Sequence, residues 1–178
     1  MAEVMATRTY LEMTDRSALR PGRVPAGQLE VTKRDPCDSD FWRYLYSTVG
    51  EAYNWVDRLS WSVTEIRDYL DDPNVSLWVM TVDGALAGYF ELRTEPDRSV
   101  EIVYFGLLPQ FTGRGLGGFL LTRAVELAWN AGARRVWLHT CSFDHPLAVA
   151  NYIARGFAVF RTEQYVAQAP PAPSTARI

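Results

Sequence analysis

The sequence predicts an α/β fold: one mixed sheet with helices on both faces, in the order β-α-α-β-β-β-α-β-α-β. Three observations lead there. Val100 to Leu108 is an almost unbroken apolar run, β-branched and aromatic, the pattern of a strand buried on both faces. Directly after it, Gly113, Gly115, Gly117 and Gly118 crowd together and open a helical pattern. A meander of strands precedes the run, while strands and helices alternate after it, so antiparallel and parallel pairs share one sheet.

Taken in order, residues 1–28 are weakly patterned. Arg20-Pro21-Gly22-Arg23-Val24-Pro25-Ala26-Gly27 reads as part of a flexible lead-in, with a short helix around Thr9 to Met13. A single domain is expected over 29–166. Leu29 to Lys33 forms its first strand. Asp38 or Ser39 caps a helix through Phe41, Trp42, Leu45 and Val49, which Gly50 ends. The connector Tyr53 to Trp61 is unusually aromatic. Ser62 or Thr64 caps a second helix, Glu65 to Leu70, closed by Pro73. Val75 to Val82 and Ala85 to Leu92 are strands joined by the hairpin turn Asp83-Gly84.

The central strand ends at Pro109, which cannot donate to a ladder. The helix behind the glycines carries Leu116, Phe119, Leu120, Ala124, Leu127, Ala128 and Ala131 on one face, and Gly132 stands where a C-cap glycine belongs. A strand Arg135–Cys141, a helix from about Pro146 to Arg155, and a strand Phe157 to Glu163 complete the domain. The tail 167–178, with its alanine and proline run, reads as disordered.

Composition narrows the function. The chain has 178 residues, enough for a good core. A net charge of −3 offers no basic footprint for nucleic acid. Cys37 and Cys141 are too few for a disulfide framework or a metal site, which fits a reducing cytosol. No apolar run approaches the roughly 20 residues that span a bilayer, and the opening residues lack a signal-peptide pattern. A cytoplasmic protein is expected, without metal, nucleic-acid or membrane partners, as a monomer or homodimer.

The glycine loop has a physical use. Without Cβ atoms its backbone can approach a ligand closely and adopt positive φ. The first N–H groups of the following helix lack partners and carry the positive end of the dipole, which suits a phosphate. Gly113, Gly115 and Gly118 spell G-x-G-x-x-G, yet a dinucleotide fold needs the glycines tight against the strand and an acid closing the next one. Here Pro109 to Thr112 intervene, and the next strand ends in His139-Thr140-Cys141. No Gly-Lys-Ser/Thr follows, which excludes the nucleotide P-loop.

Gln110-Phe111-Thr112-Gly113-Arg114-Gly115 resembles the Q/R-x-x-G-x-G/A signature of the GNAT superfamily of acyl-CoA N-acyltransferases. Ala148-x-x-x-Tyr152-x-x-x-Gly156-Phe157 resembles that family's second motif. The two cover about residues 99 to 163. The resemblance implies the GNAT fold, whose central strand and the strand after the glycine helix splay apart around the acyl-CoA thioester. It implies acetyl-CoA as cosubstrate, held by Gln110, Phe111, Thr112, Gly113, Arg114, Gly115, Leu116, Gly117 and Gly118. It also implies direct attack by an amine, and an oxyanion donor from backbone near Phe105, Gly106 and Leu107, where the family strand carries a bulge. Gly106 is compatible with one. One departure is visible: His145 stands where an asparagine often contacts the pantetheine arm, so either Asp144 takes that role or it caps the helix.

Acyl transfer from a thioester needs a neutral amine, an N–H donor for the oxyanion and a proton for the leaving thiolate. Glu101 is the first base candidate, as the one charged residue between Val100 and Leu108; a carboxylate there is costly unless paired or used. His139, late on the next strand, is the second. Tyr152 is the acid candidate, matching the family tyrosine that hydrogen-bonds the CoA sulfur. Acceptor candidates are Tyr53, Trp55, Asp57, Trp61 and Glu91, since acids attract an amine and aromatics flank it. The expected function is acetyl transfer to a primary amine of a small molecule or peptide. A catalytically silent acyl-CoA sensor is the alternative, and a Rossmann-type nucleotide binder is a third reading.

Overall fold

Each of the first two helices begins where the sequence offers a side-chain acceptor to its unpaired N–H groups. In the computed structural model, which describes residues 3–168, the elements are β1 (Glu3–Met13), β2 (Leu29–Lys33), α1 (Ser39–Gly50), α2 (Val63–Leu70), β3 (Val75–Val82), β4 (Ala85–Thr94), β5 (Ser99–Leu107), α3 (Leu116–Asn130), β6 (Arg135–Cys141), α4 (Ala148–Ala154) and β7 (Ala158–Gln168). The Asp38 carboxylate accepts from the N–H groups of Asp40 and Phe41 at the head of α1. Ser62 and Glu65 form a reciprocal capping box on α2. Asp83 and Gly84 both take positive φ, 50° and 80°, as a two-residue hairpin turn demands.

The strands make one seven-stranded sheet in the order β2-β3-β4-β5-β6-β1-β7. Only β5 and β6 run parallel; every other neighbouring pair is antiparallel. Helices cover both faces. A Cβ on Gly106 would fall 2.3 Å from Val49 of α1, and one on Gly88 would meet Leu120 of α3 at 3.2 Å on the other face. Between these layers Trp42, Leu45, Phe90, Leu120 and Ala124 are fully buried. Burial of each large apolar side chain contributes about 1.5–3 kcal/mol.

Three findings correct the sequence reading. Thr9 to Met13 is not a short helix, and residues 3–13 are not a flexible lead-in: they form β1, inserted between β6 and the edge strand β7. Six positions, Arg8 to Met13, pair with β6, and Ala6, Leu11 and Met13 point into the core. Those apolar positions recur too irregularly for period two, and their partners lie more than a hundred residues away. Second, the irregularity in β5 is not at Phe105 to Leu107. The register shifts where Tyr104 opposes Glu91 and Ile102 opposes Leu92, which leaves Val103 as the extra residue. Gly106 serves the approach of α1 instead. The strand β7 runs on to Gln168, so Ala167 and Gln168 of the expected tail belong to the sheet; the rest of that tail lies outside the described residues.

The ladder between β5 and β6 holds for three pairs only, Ser99–Arg135, Val100–Val136 and Glu101–Trp137. Beyond Glu101 the two strands separate. The backbone edge of β5 that faces β6 is then unpaired and looks into a cleft. On its far side β6 is fastened to β1.

Candidate functional site

The cleft opened by this fork has a volume of about 560 Å³, within the range that binds small ligands. Its walls combine both strands with the glycine loop, the head of α3 and the β6–α4 loop.

The glycine loop is built for positive φ. Gly113 and Gly115 both have φ of 75°, and a Cβ on either would meet nothing within 4 Å, so an approaching ligand has open space. Gly115 is the N-cap of α3 and supplies no side-chain acceptor. The first N–H groups of this 15-residue helix therefore stay available to an anion. Thr112, Gly113, Gly115, Leu116 and Gly117 line the cleft. Gln110, Phe111, Arg114 and Gly118, expected beside them, do not. Gln110 is exposed outside the lining, Phe111 is buried in the core, the Arg114 guanidinium lies over the Phe111 ring, and Gly118 packs against Arg155. The loop thus presents backbone rather than side chains.

Phe105, Gly106 and Leu107 line the cleft along the unpaired edge of β5. Tyr152, on α4, stands in the same wall, its ring edge-on to Phe105 and Phe157. Burial pushes its phenol pKa well up, and nearby Asp144 adds to the effect, so the hydroxyl keeps its proton at neutral pH.

Glu101 sits at the fork, on the last paired rung, with His139 two residues beyond that rung on β6. Their Oε1 and Nε2 atoms are 3.9 Å apart. Desolvation raises the pKa of Glu101, against the opposing charge of Arg93. Desolvation lowers that of His139, and Arg8 lowers it further. The two base candidates are therefore drawn towards one another in proton affinity, and His139 is neutral at pH 7. Glu101, His139 and Trp61 line a second, adjoining cavity of about 310 Å³.

The aromatic connector lies across the cleft. Trp55 Nε1 donates to Asp144 Oδ1 at 3.3 Å, while Asp144 Oδ2 accepts from the Thr140 hydroxyl at 2.6 Å and the Cys141 N–H at 2.8 Å. Asp144 thus ties the α1–α2 connector to the end of β6 and does not cap α4, whose N-cap is Leu147 without a side-chain bond. His145 accepts from the Leu147 N–H and meets Tyr53 edge-on. Tyr53, Trp55, Asp57, Asp144 and His145 all line the main cleft.

Glu91 needs correction. It is fully buried and lines neither cavity. Trp42 Nε1 donates to it at 2.8 Å, Arg58 at 3.1 Å and the Tyr69 hydroxyl at 2.6 Å. With its oxygens so committed, it has none left for an amine. Its partner Arg58 is packed among the rings of Trp61, Tyr69 and Tyr104, 4.2–4.6 Å from each centroid. Desolvation opposes the charge on Arg58, but Glu91 and Tyr69 outweigh it and the pKa rises. Sequence reasoning missed Arg58, Arg93 and Arg8 at this end of the site, and Asn151 beside the glycine loop. For Arg58 the aromatic connector was the available signal; Arg8 carried none while β1 was unrecognised.

A glycine-headed helix beside the fork of two parallel strands defines a fold of the acyltransferase class. The acetyltransferase (GNAT) family model matches residues 37–157, and the chain belongs to that family. An uncharacterized N-acetyltransferase of Mycobacterium tuberculosis strain H37Rv is 35% identical over 104 residues, 58% of this chain and 66% of the relative. The mycothiol acetyltransferase of Corynebacterium efficiens is 30% identical over 117 residues, 61% of this chain. The match spans just under two thirds of the first relative and 38% of the second. Among solved structures, a GCN5-related N-acetyltransferase from Kribbella flavida superposes with a TM-score of 0.65 at 16% identity, over 92% of this chain and 58% of that one. The spermidine N-acetyltransferase of Vibrio cholerae, in complex with CoA and spermine, gives 0.61 at 22% identity, over 74% and 81%. These structural likenesses speak for the fold.

Among the described residues no cluster of three or more histidine, cysteine or carboxylate side chains could hold a metal ion. No described helix is long and apolar enough to cross a membrane.

Proposed function

We propose that the chain is an acetyl-CoA-dependent N-acetyltransferase that acetylates a primary amine of a small-molecule or peptide acceptor by direct attack. One observation supports it above the others: the β5–β6 fork brings an uncapped glycine cradle and a protonated phenol to one cleft, and the buried Glu101 with the exposed His139 beside it to the cavity that adjoins that cleft. Fold alone would not carry the activity; this arrangement of groups supports it.

The residues fit the cosubstrate. The open Gly113 and Gly115 positions and the free N–H groups of α3 suit the pyrophosphate, and the unpaired edge of β5 suits an extended amide-bearing arm. When bound, acetyl-CoA supplies an activated acyl carbon and a thiolate leaving group. Glu101, or His139 beside it, takes the proton of the attacking amine. The amide C–N bond forms as the thioester C–S bond breaks. A backbone N–H of β5 near Phe105 to Leu107 faces the developing oxyanion. Tyr152 gives its proton to the departing sulfur.

The test is a thermal-shift titration with acetyl-CoA, CoA and NAD side by side. A ligand that binds only the folded state must raise the midpoint. Acetyl-CoA and CoA are expected to raise it and NAD to leave it unmoved; an amine panel read by thiol release follows. A response to NAD alone, or to none, overturns the reading. Binding without turnover on any amine returns the chain to a silent acyl-CoA sensor.

A further inference from the structure

The cavity beside Glu101 is lined by three guanidinium groups, Arg8, Arg58 and Arg93, and by two carboxylates, Asp57 and Glu101. Two of the cations are already answered. Arg58 is held by the buried Glu91, and Arg8 by Glu163 at 3.4 Å. Arg93 is different. Among the described residues it enters no ion pair, and its guanidinium lies over the Tyr69 ring, 5.5 Å from the centroid. It is directly opposite Glu101 in the β4–β5 ladder, so both side chains leave the same face of the sheet. A half-buried guanidinium therefore stands one strand away from the base candidate, on the cavity wall.

Arg93, the one of these cations that no carboxylate holds in an ion pair among the described residues, opposes a second ammonium placed against it, as a polyamine would require. It favours an acceptor that brings its own negative group. A guanidinium fork binds a carboxylate through two parallel hydrogen bonds. We infer that the acceptor is an amino-acid-like zwitterion, whose carboxylate binds Arg93 while its amine faces Glu101 and His139. This rests on the acetyltransferase reading above and narrows its substrate class; the arginine fixes the acceptor and touches no reacting atom.

The experiment compares matched acceptors with acetyl-CoA: phenylalanine against phenethylamine, leucine against isoamylamine, and lysine against cadaverine. Each pair differs only in the carboxylate. Wild-type enzyme should favour the carboxylate-bearing member in kcat/KM by about 10- to 100-fold in at least one pair, the worth of a charge-assisted hydrogen-bond pair. Arg93→Gln should bring that ratio close to unity, chiefly through KM, and Arg93→Lys should restore part of it. Equal or better turnover of the decarboxylated amines by wild type, an unchanged ratio in Arg93→Gln, or turnover of no carboxylate-bearing member overturns the inference. An acetyl-CoA thermal shift on the same samples separates the two levels. If the shift is absent, the acetyltransferase reading falls; if it is present and carboxylate selectivity is not, only the inference falls.

Discussion

The two ends of the cleft are made of different parts of the chain. At the α3 end the working surface is backbone: Gly113 and Gly115 at positive φ, an uncapped helix, and a strand edge without a partner. At the Arg58 end it is side chain: a buried arginine–glutamate pair wrapped in Trp42, Trp61, Tyr69 and Tyr104. The difference shows in how each end tolerates change. Backbone donors survive most substitutions nearby, provided that glycine stays where φ is positive. A side-chain network fails when any one member is removed.

The hardest test of that contrast is Glu91→Ala. It leaves the Arg58 charge buried and unanswered, and should cost about 3–5 kcal/mol of stability in denaturant unfolding. A loss below about 1 kcal/mol would mean that the cluster is ornamental to the fold. Gly115→Glu probes the other end. It puts a Cβ at φ 75° and a carboxylate where an anion should bind. CoA affinity by calorimetry should fall about 100-fold or more, equivalent to about 2.7 kcal/mol, while the circular dichroism stays that of the wild type. Unchanged affinity would place the cradle elsewhere.

Smaller effects sharpen the picture. Tyr152→Phe removes the proton donor and keeps the ring, so kcat should drop about 10- to 100-fold with acetyl-CoA affinity preserved; an unchanged kcat removes the phenol from the chemistry. Glu101→Gln should erase the acid limb of the kcat/KM profile that Glu101 contributes, and lower the rate. Its effect on stability has a definite sign. The pKa of Glu101 is raised in the fold from 4.5, so its stabilising contribution is present at low pH and lost as pH rises through the folded value. The variant should thus melt slightly higher than wild type at pH 7 and lose that advantage below pH 4.5. A lower melting point at pH 7 would show that the charged carboxylate is stabilised by its neighbours.

Glu91 and Glu101 explain what sequence could and could not show. Both are carboxylates in apolar strands, and the same argument, that such a group must be paired or used, applies to each. Only the fold distinguishes them: three donors converge on Glu91, whereas Glu101 has His139 at 3.9 Å and a cavity in front of it. The signals that could be read were local ones. Asp38, the Ser62–Glu65 box, the Asp83–Gly84 turn and the Gly113–Gly115 loop each act within a few residues of their own position. Signals that depend on distant partners could not. Arg93 counts because of what does not pair with it, and Thr9 to Met13 is a strand because β6 and β7 flank it.

The position of β1 also fixes an order of events during synthesis. Glu3 pairs with Gln168, and Arg8 with both Cys141 and Glu163. This strand is made before every other element of the sheet, yet its two neighbours are the last strands translated. It must therefore wait, unpaired, until the chain has grown past Cys141, and its outer ladder until Gln168. With contacts so distant in sequence, folding should be slow to close and dependent on what shelters residues 3–13 in the meantime.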